Sequence, residues 1–244
     1  VTSASTPAGR PLAGGLATGF ALGAFAALTI PDALGAEAIG AAGLVGLALW
    51  LASPTLGALL SFTRLAPDRS MPRLASALGL AGLTMPLAVL AVRALATPDR
   101  PALSFAALAA CCPTGVLLGL ALAAGLAGAR RHPRLEARPA AMPAALAGAA
   151  LAGVAFVRYV AGPRLPPLNI ALDLTLGCAA MGIVCAAGAP VADRRLETWL
   201  SLLALAAILA LPLSGLIDNA SRHWSGPAAP AAAPAGERTG PPAP

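Results

Sequence analysis

The sequence predicts an all-α fold, a polytopic transmembrane bundle of about seven helices, and three observations lead there. Of the 244 residues, 58% are hydrophobic and 11% are charged, whereas a soluble globular domain is about half apolar and about a quarter charged. Mean hydropathy is +0.79. The apolar residues also gather in seven runs, each near the ~20 residues that a helix needs to cross a ~30 Å hydrocarbon core. Finally, no alternating strand pattern runs through these segments, so helices are the spanning form. An ordinary soluble enzyme, a disordered chain and a disulfide-rich secreted module are all excluded.

The runs cover 12–30, 38–62, 74–96, 103–129, 142–161, 168–189 and 199–217, the first and the seventh being the shortest. Each break carries Pro, Arg or Asp, as in PDALGAEA, RLAPDRSMPR, TPDRP, ARRHPRLEARP, GPRLPP and PVADRRLE. Pro143 and Pro167 stand at first-turn positions, where a missing amide hydrogen costs nothing. The domain division is a short cytoplasmic tail (1–11), a transmembrane domain (12–217) and a Pro/Ala-rich extracytoplasmic tail (218–244). That second tail has too few large apolar side chains to offset ordering entropy, so disorder is expected there.

Arginine placement orients the bundle. All 16 basic residues are Arg. With the N-terminus inside, the inner segments hold Arg10, Arg64, Arg69, Arg73, Arg130, Arg131, Arg134, Arg138, Arg194 and Arg195, against Arg93, Arg100, Arg158, Arg164, Arg222 and Arg238 outside. The bias toward inner loops predicts N-in and C-out. Arg10 ahead of an apolar run and the small residues Gly35, Ala36 and Ala38 also fits a signal peptide, whose cleavage would leave six spans. Arginines in short loops set orientation rather than bind nucleic acid, so no nucleic-acid partner is expected despite a pI near 10.4.

The residue inventory narrows the chemistry. Without Lys no retinal Schiff base forms, and His132 and His223 lie in a loop and a tail, so no imidazole pair ligates haem or copper in the bilayer. Cys111, Cys112, Cys178 and Cys185 all fall inside apolar spans without metal-ligand spacing, as small hydrophobes do. No Ser/His, paired-carboxylate or HExxH constellation occurs in the spans, so the chain is not expected to be an enzyme, nor to hold a metal or cofactor.

Four features remain as candidates. Arg158 and Asp173 lie a short way inside the fifth and sixth spans, which the tight GPRLPP turn joins as antiparallel neighbours. An ion pair between them is the natural inference, either as a hairpin clamp or as an outer gate or substrate site. Asn169 precedes Asp173 by one helical turn and should share its face. Pro54, Pro86, Pro113 and Pro212 sit mid-span, where proline frees a carbonyl and bends a helix, as in mobile transporter bundles. Gly15, Gly19 and Gly23 form a double G-x-x-x-G ridge that lets helix backbones approach, with Gly115 and Gly119 repeating the spacing in the fourth span.

The segment LGALLSFTRLAPDRSMPRLASALGL, between the second and third spans, resembles the cytoplasmic loop of the major facilitator superfamily. Asp68 and Arg69 match its acid-base pair and Arg73 its last basic position, while Pro67 is inserted, and Arg64 and Met71 replace its glycines. The resemblance implies a latch between access states at Asp68 and Arg69. It also implies half of a two-part permease, acting as a homodimer or with a partner membrane chain on a small-molecule substrate in the bacterial plasma membrane. The alternative expectation is a non-catalytic membrane subunit, or an assembly partner of a larger complex.

Overall fold

A computed structural model describes residues 9–34, 41–62, 70–95, 101–129, 141–187 and 194–222. They form seven helices and no strand: α1 (Gly9–Leu34), α2 (Ala41–Phe62), α3 (Ser70–Leu95), α4 (Pro101–Ala129), α5 (Ala141–Ala155, continuing as a π-helical turn Phe156–Ala161), α6 (Pro167–Ala186) and α7 (Arg194–Arg222). All seven are long and apolar enough to cross a membrane, and every segment expected from hydropathy is a helix. The chain is a multi-pass membrane protein.

The two runs that look shortest belong to long helices, α1 with 26 residues and α7 with 29. Hydropathy ends where charge begins, but helical hydrogen bonding does not. α1 starts at Gly9 and takes in Arg10, and α7 carries Arg194, Arg195 and Glu197 at one end and Asp218 at the other. Residues 218–222 are therefore helix rather than tail. Residues 1–8 and 223–244 lie outside the described residues, as do Asp68 and Arg69.

Successive helices alternate in direction. One end of the bundle holds Gly9, Phe62, Ser70, Ala129 and Ala186, and the opposite end holds Leu34, Leu95, Ala161 and Pro167. These are called below the Gly9 end and the Leu34 end. α1, α3, α4 and α6 make the interior, while α2, α5 and α7 stand at the rim with about a fifth of their spans buried.

Glycine lets two parallel helix pairs approach closely. Along α1 and α5, a Cβ on Gly19 would meet the Leu146 carbonyl at 3.0 Å, one on Gly23 the Ala150 carbonyl at 1.9 Å, and one on Gly153 the Phe20 carbonyl at 2.1 Å. Gly15 faces Gly125 of α4 as well as Leu146. Along α2 and α4, Gly57 lies on the Val116 carbonyl and Gly119 on the Pro54 carbonyl, each leaving 2.0 Å for a Cβ. Between apolar helices in lipid, such backbone contact supplies the dispersion energy that hydrophobic exclusion gives in water.

The helices run on through their mid-span prolines, and two of the carbonyls these prolines orphan find a donor. Proline removes the amide that would bond the carbonyl four residues back. For Pro54 that carbonyl belongs to Trp50, and the Ser53 hydroxyl donates to it at 2.7 Å. For Pro86 it belongs to Gly82, and Thr175 of α6 donates across the interface at 2.7 Å. Thr175 also lies 2.9 Å from the Ala171 carbonyl, but that carbonyl already has its helical partner, so the orphan takes the hydrogen. The second bond ties α6 to α3.

Candidate functional site

Four ionisable or amide side chains in the Leu34-end halves of α3, α6 and α7 fall into two groups. Arg93 of α3 and Asp218 of α7 form an ion pair through Nη1 and Oδ1, at the Leu34 end, with the carboxylate almost fully buried. Asp32, at the same end of α1, feels the Arg93 charge as well. One turn further into the bundle, the Ser214 hydroxyl donates to Asn169 Oδ1 at 2.5 Å, sharing its hydrogen with the Leu211 carbonyl. Asn169 thus turns toward α7.

Asp173 faces elsewhere. It is exposed, its side chain makes no hydrogen bond or ion pair among the described residues, and it lines a cleft of about 260 Å³. Ala17, Phe20 and Ala21 of α1 and Leu78 of α3 form the cleft's floor. Phe156 of α5 closes one side, and Ile170, Leu174, Gly177 and Cys178 of α6 surround the carboxylate on the other. Asp173 is the only charged side chain among the described lining residues.

The expected Arg158–Asp173 ion pair is not formed, and the cause is the packing of their helices. The turn 162–166 is short, with Gly162 donating to Val157 and Leu165 to Ala161, yet α5 and α6 do not pack along their lengths. α5 follows the glycine ridge of α1, whereas α6 is drawn to α3 and α7 by Thr175 and Asn169. The two helices splay, and the wedge between them is the cleft. Arg158 points out of the bundle from the π-helical turn, exposed and within about 5 Å of the helix end, where its head reaches the interface. Asn169 and Asp173 also part company, since Asn169 is held by Ser214 of α7 while Asp173 lines the cleft against α1 and α5.

Depth distinguishes the two acids. Six residues at 1.5 Å put Asp173 about 9 Å along a helix of about 30 Å, hence about 6 Å from its midpoint. Phe156 and Phe20, with ring centroids 5.6 Å apart, lie at a similar level. The π-helical turn begins at Phe156, and such irregular turns inside helices recur at functional sites.

Several of these residues escape a reading of hydropathy alone. Arg93 sits in the last turn of its helix, where a charge reads as a loop residue, and Asp218 falls past the last apolar run. The signal that finds it is the stripe Leu200, Ala207, Ser214 and Asp218, buried at helical spacing along α7. A polar residue on a buried stripe needs a partner.

Arg73 lies in the first turns of α3 at the Gly9 end, part-buried and engaged by neighbours. It precedes the cleft-lining Leu78 by about one and a half turns of α3 and is not itself among the described lining residues. All four cysteines are free thiols, and Cys111 and Cys112 donate to the carbonyls four residues back. No group of three or more metal-ligating side chains occurs among the described residues. No protein-family model, curated protein or solved structure matches the chain.

Proposed function

We propose that the chain is a permease-like transporter of the bacterial plasma membrane, and that the Asp173 cleft is its substrate position. The observation that carries this reading is a carboxylate about one third of the way along a membrane-spanning helix, without a partner among the described residues, in an open, otherwise apolar cleft. A charged group at the bilayer centre costs about 2.5–3.5 kcal/mol, the cost falls toward the interface, and no described side chain offsets what remains at this depth. Ionisable groups retained at that depth mark substrate or ion pathways. The Gly9 end faces the cytoplasm in this proposal, following the arginine bias between the two sets of loops.

The facilitator-like sequence supports the same reading, with Arg73 in the first turns of α3 and Asp68 and Arg69 just ahead of it in the sequence. A full facilitator has two halves related by an axis along the membrane normal, so a chain of this size works as a homodimer or with a partner membrane chain. A native mass of two copies in nanodiscs, or of one copy with a second chain, is the expected assembly.

The functional test needs no known substrate. Cys111, Cys112, Cys178 and Cys185 are replaced by Ala, and Gly177→Cys is introduced at the cleft, where a Cβ meets nothing within 4 Å. A permease opens this position to water, so a membrane-impermeant maleimide labels it from at least one side of sealed vesicles. Labelling by lipid-soluble reagents alone overturns the proposal and favours a packing subunit of a larger complex.

A further inference from the structure

The substrate class follows from what the cleft offers and where it opens, given the permease reading on which this step rests. We infer that the Asp173 cleft binds a lipophilic monocation, an aryl- or alkyl-substituted onium ion that reaches the site sideways from the bilayer.

Charge comes first. Asp173 is the only Asp, Glu, Arg, Lys or His among the described lining residues, and Arg158, three residues from the end of the neighbouring helix, points away from the cleft. An anionic ligand would meet a carboxylate with no counter-charge. A neutral ligand would leave that carboxylate desolvated and unpaired. A cation supplies the missing partner, and Coulomb attraction in a low-dielectric setting is far stronger than in water.

The second argument is the walls. Phe20 and Phe156 stand beside the carboxylate, and Ala17, Ala21, Leu78 and Ile170 complete an apolar surface. A small, strongly hydrated ion such as sodium finds no carbonyl or hydroxyl cage here, since hard cations take six or more oxygen ligands. A cation whose charge is spread under apolar substituents loses little hydration on entry, and aromatic faces attract it further. The cavity of about 260 Å³ lies near the lower end of small-molecule sites, which fits one or two rings inside and the rest of the ligand protruding.

Access is the third. Asp173 and Gly177 are exposed and Phe156 is 37% exposed, so the cleft opens on the rim of the bundle between α5 and α6. At that depth the rim meets hydrocarbon. A ligand arriving there must itself dissolve in lipid, which lipophilic cations do and hydrophilic ones do not.

The experiment is equilibrium binding of radiolabelled tetraphenylphosphonium to the purified full chain in nanodiscs. Wild type and Asp173→Glu are expected to bind within a few-fold of each other. Asp173→Asn is expected to weaken binding at least tenfold, and Gly177→Phe to abolish it by filling the cleft, both with unchanged elution on gel filtration. Neutral triphenylphosphine oxide should not compete. Equal binding by wild type and Asp173→Asn, or full displacement by the neutral competitor, overturns the inference. Absence of phosphonium binding while Gly177→Cys remains labelled by the impermeant maleimide overturns the substrate class and leaves the permease reading standing. Loss of both overturns both.

Discussion

Asp218 and Asp173 are both carboxylates on membrane-spanning helices, and their surroundings differ in every respect that matters. Asp218 is buried, paired with Arg93, and locks α7 to α3. Asp173 is exposed, unpartnered and set against apolar walls, about one third of the way along α6. The first acid stabilises the bundle by neutralising a cation the fold has buried. The second has no polar partner among the described residues, and in the proposal above a ligand takes that place. Intramembrane charge is therefore not one category, and the discriminating feature is whether the protein itself supplies the counter-charge.

Breaking the structural pair should give the largest effect. Arg93→Leu takes the guanidinium away from the buried Asp218 carboxylate, and is expected to cost about 3–5 kcal/mol in a reversible denaturation titration in mixed micelles. The double variant Arg93→Leu with Asp218→Leu should recover most of that loss, because two apolar side chains replace a buried pair at little cost. If the double variant is as unstable as the single one, the pair is not what joins α3 to α7.

A steric change sharpens the comparison from the other side. Gly23→Leu drives a side chain into the Ala150 backbone and should destabilise by about 1–3 kcal/mol, while pushing α5 outward and altering the cleft without touching Asp173. Phosphonium binding should fall along with the thermal midpoint. Unchanged binding would mean that α5 does not form the wall.

Smaller effects follow at α6. Thr175→Val removes the donor to the Gly82 carbonyl that Pro86 orphans, with an expected loss of about 0.6–1.7 kcal/mol in the same titration. Asp173→Asn should be the mildest, within about 0.5 kcal/mol of wild type, since no interaction is lost. A loss comparable to that of Arg93→Leu would place Asp173 among the structural charges.

Much of the architecture is legible in the sequence, because hydropathy, proline punctuation and arginine spacing all act locally along the chain. The seven helices follow from it, and Gly19 and Gly23 lie where a small-residue ridge permits backbone contact. The pairing of charges is not local. A short turn between α5 and α6 suggested that Arg158 meets Asp173, yet each helix is held by other neighbours, α5 by the ridge on α1 and α6 by Thr175 and Asn169. Connectivity limits how far the helix ends separate, not how their faces pack. Asp218 was hidden for a different reason. It lies past the last apolar residue of its run, and only the buried stripe of α7 carries it inward. Proline offered a clue that could have been followed, since the carbonyl four residues back from Pro86 calls for a donor, and Thr175 is the hydroxyl that reaches it.

The most direct test of the difference between the two acids is carbodiimide labelling of the intact protein in bilayers, with the modified residue located by mass spectrometry. Dicyclohexylcarbodiimide is lipid-soluble and reacts with carboxyls it can reach from the apolar phase. The expected result is an adduct on Asp173, suppressed by tetraphenylphosphonium, with Asp218 unmodified. An adduct on Asp218, or an Asp173 that resists the reagent, would contradict the distinction between a paired, buried charge and an open one that waits for its ligand.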